Sequence, residues 1–324
     1  MDRISLGNLK LPSSVMGLGC GGHSRIGQSH GATPEESAAI VGRALELGIN
    51  HIDTATGYGT EGIVGAAVRG SGVSRSELLI ASKVSCHKDM VPVPWADYER
   101  AVHASLEATG LDYLDIYYVH GLYAEHVGHT LETILPGLQG LKEQGLIRAA
   151  AISEHFNTDP SHQVLLDVVR TAPELVDVLM VGFNILNQSA RRELLPLCLE
   201  HGIGVTCMFA VRNAFSNPAV LARIVRDLIA AGEVDASEVD VDRPLEFVLR
   251  QGDAATLTEA AYRFCRWEPG IDVVLSGTGR MEHLEANAAC LRRPALPAAT
   301  TERLRRIFHR VDSVSGQDRP YRKS

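Results

Sequence analysis

Four residues of this 324-residue chain carry side chains able to pass a proton or hold a charge in a confined site: Asp53, Tyr58, Lys83 and His120. Asp53 and Tyr58 lie in INHIDTATGYG, an apolar run that dissolves into small residues. Lys83 stands late in LLIASKVS, and His120 near the end of YLDIYYVHG. Taken singly, they read as a turn acid, a loop aromatic, a lysine reaching solvent and a satisfied core histidine. Together they form a set with one chemistry. A phenol titrates near ~10 when unperturbed and is a poor proton donor or acceptor at neutral pH. A lysine beside it favours phenolate and is expected to lower that pKa. The buried ammonium in turn needs a counter-charge, which Asp53 can supply. His120 is then free to hydrogen-bond a substrate oxygen. Such a set protonates a carbonyl as hydride arrives, or deprotonates an alcohol in reverse, with Tyr58 as general acid and base.

The set works only if several strands deliver their ends to one rim. Short Val- and Ile-rich runs alternate with stretches of helical period, the pattern of βαβ units and a parallel sheet. The expected strands are Ser14–Cys20, Ile49–Ala55, Leu78–Ser85, Tyr113–Gly121, Ile147–Glu154, Val176–Asn184, Gly202–Ala210 and Ile271–Gly279. Between them, TPEESAAIVGRALELG opens with Thr33 as N-cap, Pro34 in the first turn and Glu36 closing a capping box, and Gly48 stops it. Eight strands in about 300 residues predict a (β/α)8 TIM barrel over residues 1–312, with residues 313–324 as a C-terminal tail. ISLGNLKL predicts a hairpin capping the barrel bottom. Residues 211–255 predict a long loop or extra helix after the seventh strand, over the site. Asp53, Tyr58, Lys83 and His120 all fall at strand C-termini, the end at which such barrels carry their chemistry.

Composition narrows the partners. A net charge of −8 argues against nucleic acid, which clustered cations bind. Neither a signal peptide nor a run approaching 18 apolar residues is seen, so a cytoplasmic protein without a membrane segment is expected. The six cysteines form no C-x-x-C, and His126 and His129 lack a third ligand at metal-site spacing, so no metal is expected. Gly17, Gly19 and Gly22 satisfy G-x-G-x-x-G, but no helix opens there, and Asp53 lies well beyond the ~20 positions at which a dinucleotide fold places its acid.

The motifs GINHIDTATGYG, ASKV, YLDIYYVHG, LKEQGLIRAAAIS, LLPLCLEHGIGV and SGTGRMEHLEANAACL resemble the aldo-keto reductases from the first strand to about Asn287. The family's aspartate, tyrosine, lysine and histidine match Asp53, Tyr58, Lys83 and His120. The resemblance implies a carbonyl–alcohol oxidoreductase that binds NADP(H), with NAD(H) as the alternative, in extended form over the barrel mouth, and acts on a small-molecule aldehyde, ketone or sugar. It places Gly19, Cys20 and Asp53 beside the cofactor. The nicotinamide carboxamide would meet Ser153, with Glu154 and Met180 standing where the family has asparagine and glutamine. Either Met208 or Phe209 would stack on the nicotinamide. Gly277, Thr278 and Gly279 would meet phosphate, Arg280 and His283 a 2′-phosphate, and Asn287 the adenine. Trp95 either lines the substrate pocket with Tyr58 and His120 or pins its own loop. Two other readings stay open: a nucleotide-binding regulatory subunit with little turnover, and an aldolase-like barrel with Lys83 as Schiff-base nucleophile. The pairing of Lys83 with Asp53 weighs against the second.

Overall fold

The computed structural model describes residues 1–317. Strands β1 (Arg3–Leu6) and β2 (Leu9–Ser14) form an antiparallel hairpin, followed by β3 (Met16–Gly19), β4 (His51–Asp53) and β5 (Leu79–Val84). β6 (His87–Lys88) and β7 (Val91–Pro92) make a small ribbon, and then come β8 (Leu114–Leu122), β9 (Ile147–Glu154), β10 (Val178–Gly182), β11 (Gly204–Met208) and β12 (Val273–Ser276). Strands β3, β4, β5, β8, β9, β10, β11 and β12 close a parallel barrel in that order, β12 pairing back to β3. Each falls within or close to a stretch expected from the sequence. The strands are buried along most of their length because both faces are covered, one by helices and one by the barrel interior. Alternation along each strand sends Ala81, Ile116, Tyr118, Ala149, Ala151, Val178, Met180, Met208 and Val273 inward as one packed cluster. Leu6 joins that cluster, and Asn8 N–H donates to the Gly202 carbonyl at 2.8 Å, so the hairpin plugs the end at which the strands begin.

Helix Pro34–Glu46 carries the expected capping box, Thr33 accepting from Glu36 N–H while the Glu36 carboxylate accepts from Thr33 N–H. The helix that the barrel requires after β4 is Glu61–Gly70, which the sequence does not mark because glycines at 62, 65 and 70 mask its period. Gly65 explains itself by contact: a Cβ there would collide with the Thr109 carbonyl of helix Trp95–Thr109, so only glycine lets the two helices meet so closely. The long segment after β11 takes the extra-helix form of the expectation over about half its length, with Asn213–Ser216, Pro218–Ala230 and Glu246–Gln251. Asn217 caps the second of these through the N–H groups of Ala219 and Val220. At the C-terminus, the Val314 and Ser315 carbonyls accept from Asn187 and Asn184, which binds 314–315 to the barrel; residues 318–324 of the expected tail lie outside the described residues. Among the described residues, no helix is long and apolar enough to cross a membrane.

Candidate active site

The barrel brings the four proton-handling residues to one mouth. Asp53 ends β4, Lys83 stands one residue before the end of β5, and His120 lies near the end of β8, all in inward register, while Tyr58 closes the short helical turn Thr56–Tyr58 after β4. Lys83 Nζ donates to Asp53 Oδ1 at 2.5 Å and to the Thr54 carbonyl at 2.8 Å, with both side chains buried. The same ammonium lies 5.0 Å from the Tyr58 ring centroid. Tyr58 Oη meets His120 Nε2 at 3.4 Å, the two rings edge to face. A phenol thus stands between a neutral hydrogen-bonding imidazole and a paired ammonium.

Burial decides the protonation states. It pushes the Tyr58 phenol up, against the pull of Lys83, and burial wins. The expected lowering is therefore corrected: the phenol keeps its proton at neutral pH, and Lys83 limits the rise instead of reversing it. Burial is the largest single influence on the Lys83 ammonium and opposes it, but the charge and hydrogen bond of Asp53, with Tyr58 and Cys20, together outweigh burial and hold the lysine above its ordinary range. Burial, then the charge of Lys83 and the nearby His155, press His120 down to about 3, so its imidazole is neutral. His51, deeper in the barrel, is pressed down to about 4 by burial and then Lys83. Both histidines titrate near 6.5 in the unfolded chain, which therefore binds protons that the folded protein refuses once the pH falls below that value. Their contribution is fully present above pH ~6.5 and is lost toward pH 4 and 3. Each costs about 1.4 kcal/mol per pH unit in that window. Denaturant melts of wild type and His120→Asn at pH 7 and pH 5 check this: the variant, with no imidazole to protonate, should lose about 2 kcal/mol less stability between the two. Equal losses would contradict it.

Two residues that the sequence reading did not single out hold Tyr58. Gly21 lies under the phenol ring, and a Cβ there would collide with ring atoms; the neighbouring glycines at 21 and 22 after the first barrel strand were the signal. Arg25 Nε donates to the Tyr58 carbonyl at 2.8 Å. Gly21→Ala should displace the ring by about an ångström and lower kcat by about 100-fold, with the melting temperature little changed. A variant with wild-type kcat would show that ring placement is not critical.

The remaining candidates divide. Gly19 faces Gly277 across the mouth, and Gly277 and Arg280 are exposed. Arg280 starts helix Met281–Leu291 and its guanidinium has no protein partner among the described residues, while Thr278 Oγ1 accepts from Arg280 N–H at 3.1 Å. His283 is exposed on the first turn, and Asn287 is tied to Ser276 Oγ at 2.9 Å. This lip offers free N–H groups and an unpaired cation, a donor set that fits a phosphorylated nucleotide. Gly279 also serves packing, since a Cβ there would press on Gly27. Ser153 points inward and its Oγ accepts from Gly121 N–H at 3.3 Å. Cys20 is withdrawn as a contact because it is wholly buried, its backbone N–H bonded to the Asp53 carbonyl. Glu154 is corrected as well: the next residue after an inward serine points outward, and its carboxylate accepts from Gly182 N–H at 2.5 Å and faces His162 Nδ1 at 2.9 Å, with no side-chain exposure. Met180 packs in the inner core. Met208 is 9% exposed at the end of β11. Phe209 follows with φ 64°, a left-handed backbone that costs a non-glycine residue about 1 to 3 kcal/mol and is kept where the surroundings impose it. Trp95 does not line the mouth with Tyr58: it opens its helix, stacks 6.0 Å from the Tyr98 ring and covers Gly137, and so pins its own segment.

The family model of the aldo/keto reductase family matches residues 17–308. The chain belongs to that family. An aldo-keto reductase of Mycolicibacterium vanbaalenii is 34% identical over 217 residues, 64% of this chain and 67% of its own length. L-galactose dehydrogenase of Arabidopsis thaliana is 31% identical over 206 residues, 62% of each chain. Among solved structures, the holo form of aldo-keto reductase AKR11C1 from Bacillus halodurans superposes with a TM-score of 0.69 at 25% identity, covering 94% of this chain and 96% of that one. This aldo/keto reductase is therefore an oxidoreductase on a closed eight-stranded parallel barrel.

Proposed function

We propose that this aldo/keto reductase interconverts an aldehyde, ketone or sugar carbonyl with its alcohol by direct hydride exchange with a nicotinamide nucleotide, NADP(H) in preference to NAD(H), with Tyr58 as the general acid and base. One observation carries the reading: a phenol kept protonated by burial stands 3.4 Å from a neutral imidazole and beside a buried lysine–aspartate pair. When bound, the reduced nicotinamide supplies the hydride. The protein's own part is the proton. His120 and Tyr58 Oη together bind the carbonyl oxygen, and as negative charge grows on that oxygen Tyr58 delivers its proton. Lys83, held charged by Asp53, stabilises the phenolate left behind. In the reverse direction the phenolate takes the proton of the alcohol. The unpaired Arg280 at the lip supports the preference for a 2′-phosphate, which needs a charge-assisted donor.

Fluorescence titration with NADPH and NADH tests the cofactor, and a panel of aldehydes, ketones and sugars with the tighter nucleotide tests the reaction. L-galactose belongs in the panel because one relative is named for it. We expect quenching by both nucleotides, stronger with NADPH, and oxidation by at least one carbonyl. Absence of quenching would overturn the reading. Quenching without turnover across the panel would favour the regulatory subunit, for which Glu154 and Met180, standing where the family has its carboxamide contacts, are the motivating features.

A further inference from the structure

Arg212 is placed unlike Arg263 and Arg191, which also reach into the protein. Arg263 meets Glu259 and Asp253, and Arg191 meets Glu268. Arg212, four residues beyond the end of β11, has no carboxylate partner among the described residues. Its guanidinium lies 3.4 Å from the Phe209 ring centroid, and Phe209 is aimed by its left-handed backbone. Below Phe209 the stack continues through Phe156, at 6.1 Å, to the buried His162, at 5.3 Å from Phe156. One guanidinium hydrogen is used, Nη2 donating to Asn157 Oδ1 at 2.9 Å, and Asn157 is held by Ser315 Oγ at 2.7 Å. Among the described residues Nε is buried without any acceptor, and Nη1 donates to no protein atom. A planar cation fixed from below and from one side, with most of its five N–H groups unspent, is built to receive an acceptor-rich anion. Burial, with no charge to offset it, holds Arg212 down to about 10, as expected of a cation still missing its partner.

We propose that Arg212 is an anion-binding residue at the barrel mouth that grips phosphate or carboxylate oxygens of a bound ligand. The order of the barrel favours one source. β11 lies between β10 and β12, so a nucleotide reaching from Ser153 at the end of β9 to the Gly277–Arg280 lip after β12 crosses the loop that carries Arg212, and its diphosphate is the anion that makes the crossing. An acidic group on the substrate is the other source. The choice of the diphosphate rests on the function proposed above; the anion site itself does not.

The test compares wild type, Arg212→Met and Arg212→Lys. Fluorescence titration with NADPH and NADH should give Kd values about 10- to 100-fold higher in Arg212→Met for both nucleotides, with partial recovery in Arg212→Lys. Raising the salt concentration should weaken wild-type binding more steeply than that of the methionine variant, a difference that a purely structural role would not produce. Inorganic pyrophosphate should raise the melting temperature of wild type and not of Arg212→Met. Unchanged nucleotide affinities, combined with a raised KM for 4-carboxybenzaldehyde and not for benzaldehyde, would keep the anion site and assign it to the substrate. If neither nucleotide binds wild type but pyrophosphate still protects it alone, the cofactor reading fails and the anion site stands. If none of these measurements separates wild type from Arg212→Met, the assignment is wrong.

Discussion

Tyr58→Phe is expected to lower kcat by about 10²- to 10⁴-fold while leaving nucleotide affinity within about twofold, the range spanned by removing a positioned proton donor. Phenylalanine fills the same slot over Gly21, so the loop and the Lys83–Asp53 pair stay as they are. Only Oη is lost, and with it the hydroxyl that faces His120 at 3.4 Å. That hydroxyl matters chiefly when charge builds on the substrate oxygen, so the loss should appear in kcat and kcat/KM together and not in ground-state binding. His120 remains and can still hydrogen-bond the carbonyl, which leaves a residual rate. The pH profile gives a second reading. Burial holds the phenol protonated above its ordinary range, so in wild type carbonyl reduction should persist through neutral pH and fade only as the phenol ionises in strong alkali, while alcohol oxidation climbs over the same interval. In Tyr58→Phe that opposed pair of limbs should vanish. Steady-state rates in both directions from pH 6 to 11, with NADPH and NADP, make the comparison. Wild-type turnover in the variant would remove Tyr58 from the chemistry and with it the proposed mechanism.

The parts of this site legible from sequence are those governed by strand periodicity. Asp53, Lys83 and His120 could be placed because each closes a run whose alternation is enforced by burial on both faces. The same rule held the answer for Glu154: with Ala149 and Ala151 inward, Ser153 must be inward and Glu154 outward, where it binds Gly182 N–H and His162 instead of a nucleotide. Family resemblance and periodicity disagreed there, and the backbone follows periodicity. Other features had no local signal. Trp95 reads as a loop residue until Pro94 is seen to open a helix at it. Gly65 taken alone lowers helix propensity, and only the Thr109 carbonyl lying against it shows why this helix needs it. The Phe209 turn depends on a left-handed residue imposed by neighbours distant in sequence, so the orientation of Arg212 could not be read from CMFAVRN. The sign of the Tyr58 shift was missed for a related reason: the lysine was visible from sequence, but the extent of burial that opposes it was not.

Lys83→Met tests whether that lysine is structural, catalytic or both, and the mechanism proposed above requires both. The substitution strips Asp53 of its 2.5 Å partner and the Thr54 carbonyl of its 2.8 Å donor, and leaves a buried carboxyl alone. Breaking one side of such a pair costs about 3 to 5 kcal/mol. Burial already pushes the Asp53 carboxyl up and Lys83 opposes it; without the lysine the push is unopposed. A carboxyl whose folded pKa is raised binds its proton more tightly in the folded state, so the damage grows as the pH rises above the unfolded value near ~3.9 and is relieved in acid. The variant should therefore lose more stability at pH 7 than at pH 5. Tyr58 loses the one charge that holds its phenol down, so the alkaline limb of alcohol oxidation should move to higher pH. The double variant Asp53→Asn/Lys83→Met removes both charges and should recover about 2 kcal/mol or more over Lys83→Met at pH 7, since two neutral groups cost less to bury than one unpaired ion. Its turnover should stay low, because the phenolate still has no ammonium beside it. Stability and activity then separate within one residue pair: urea melts read the ion pair, and the pH profile reads the phenol. Equal stability of the single and double variants would mean that Asp53 is not charged in the fold, and the account of Lys83 as an ammonium anchored by it would fall.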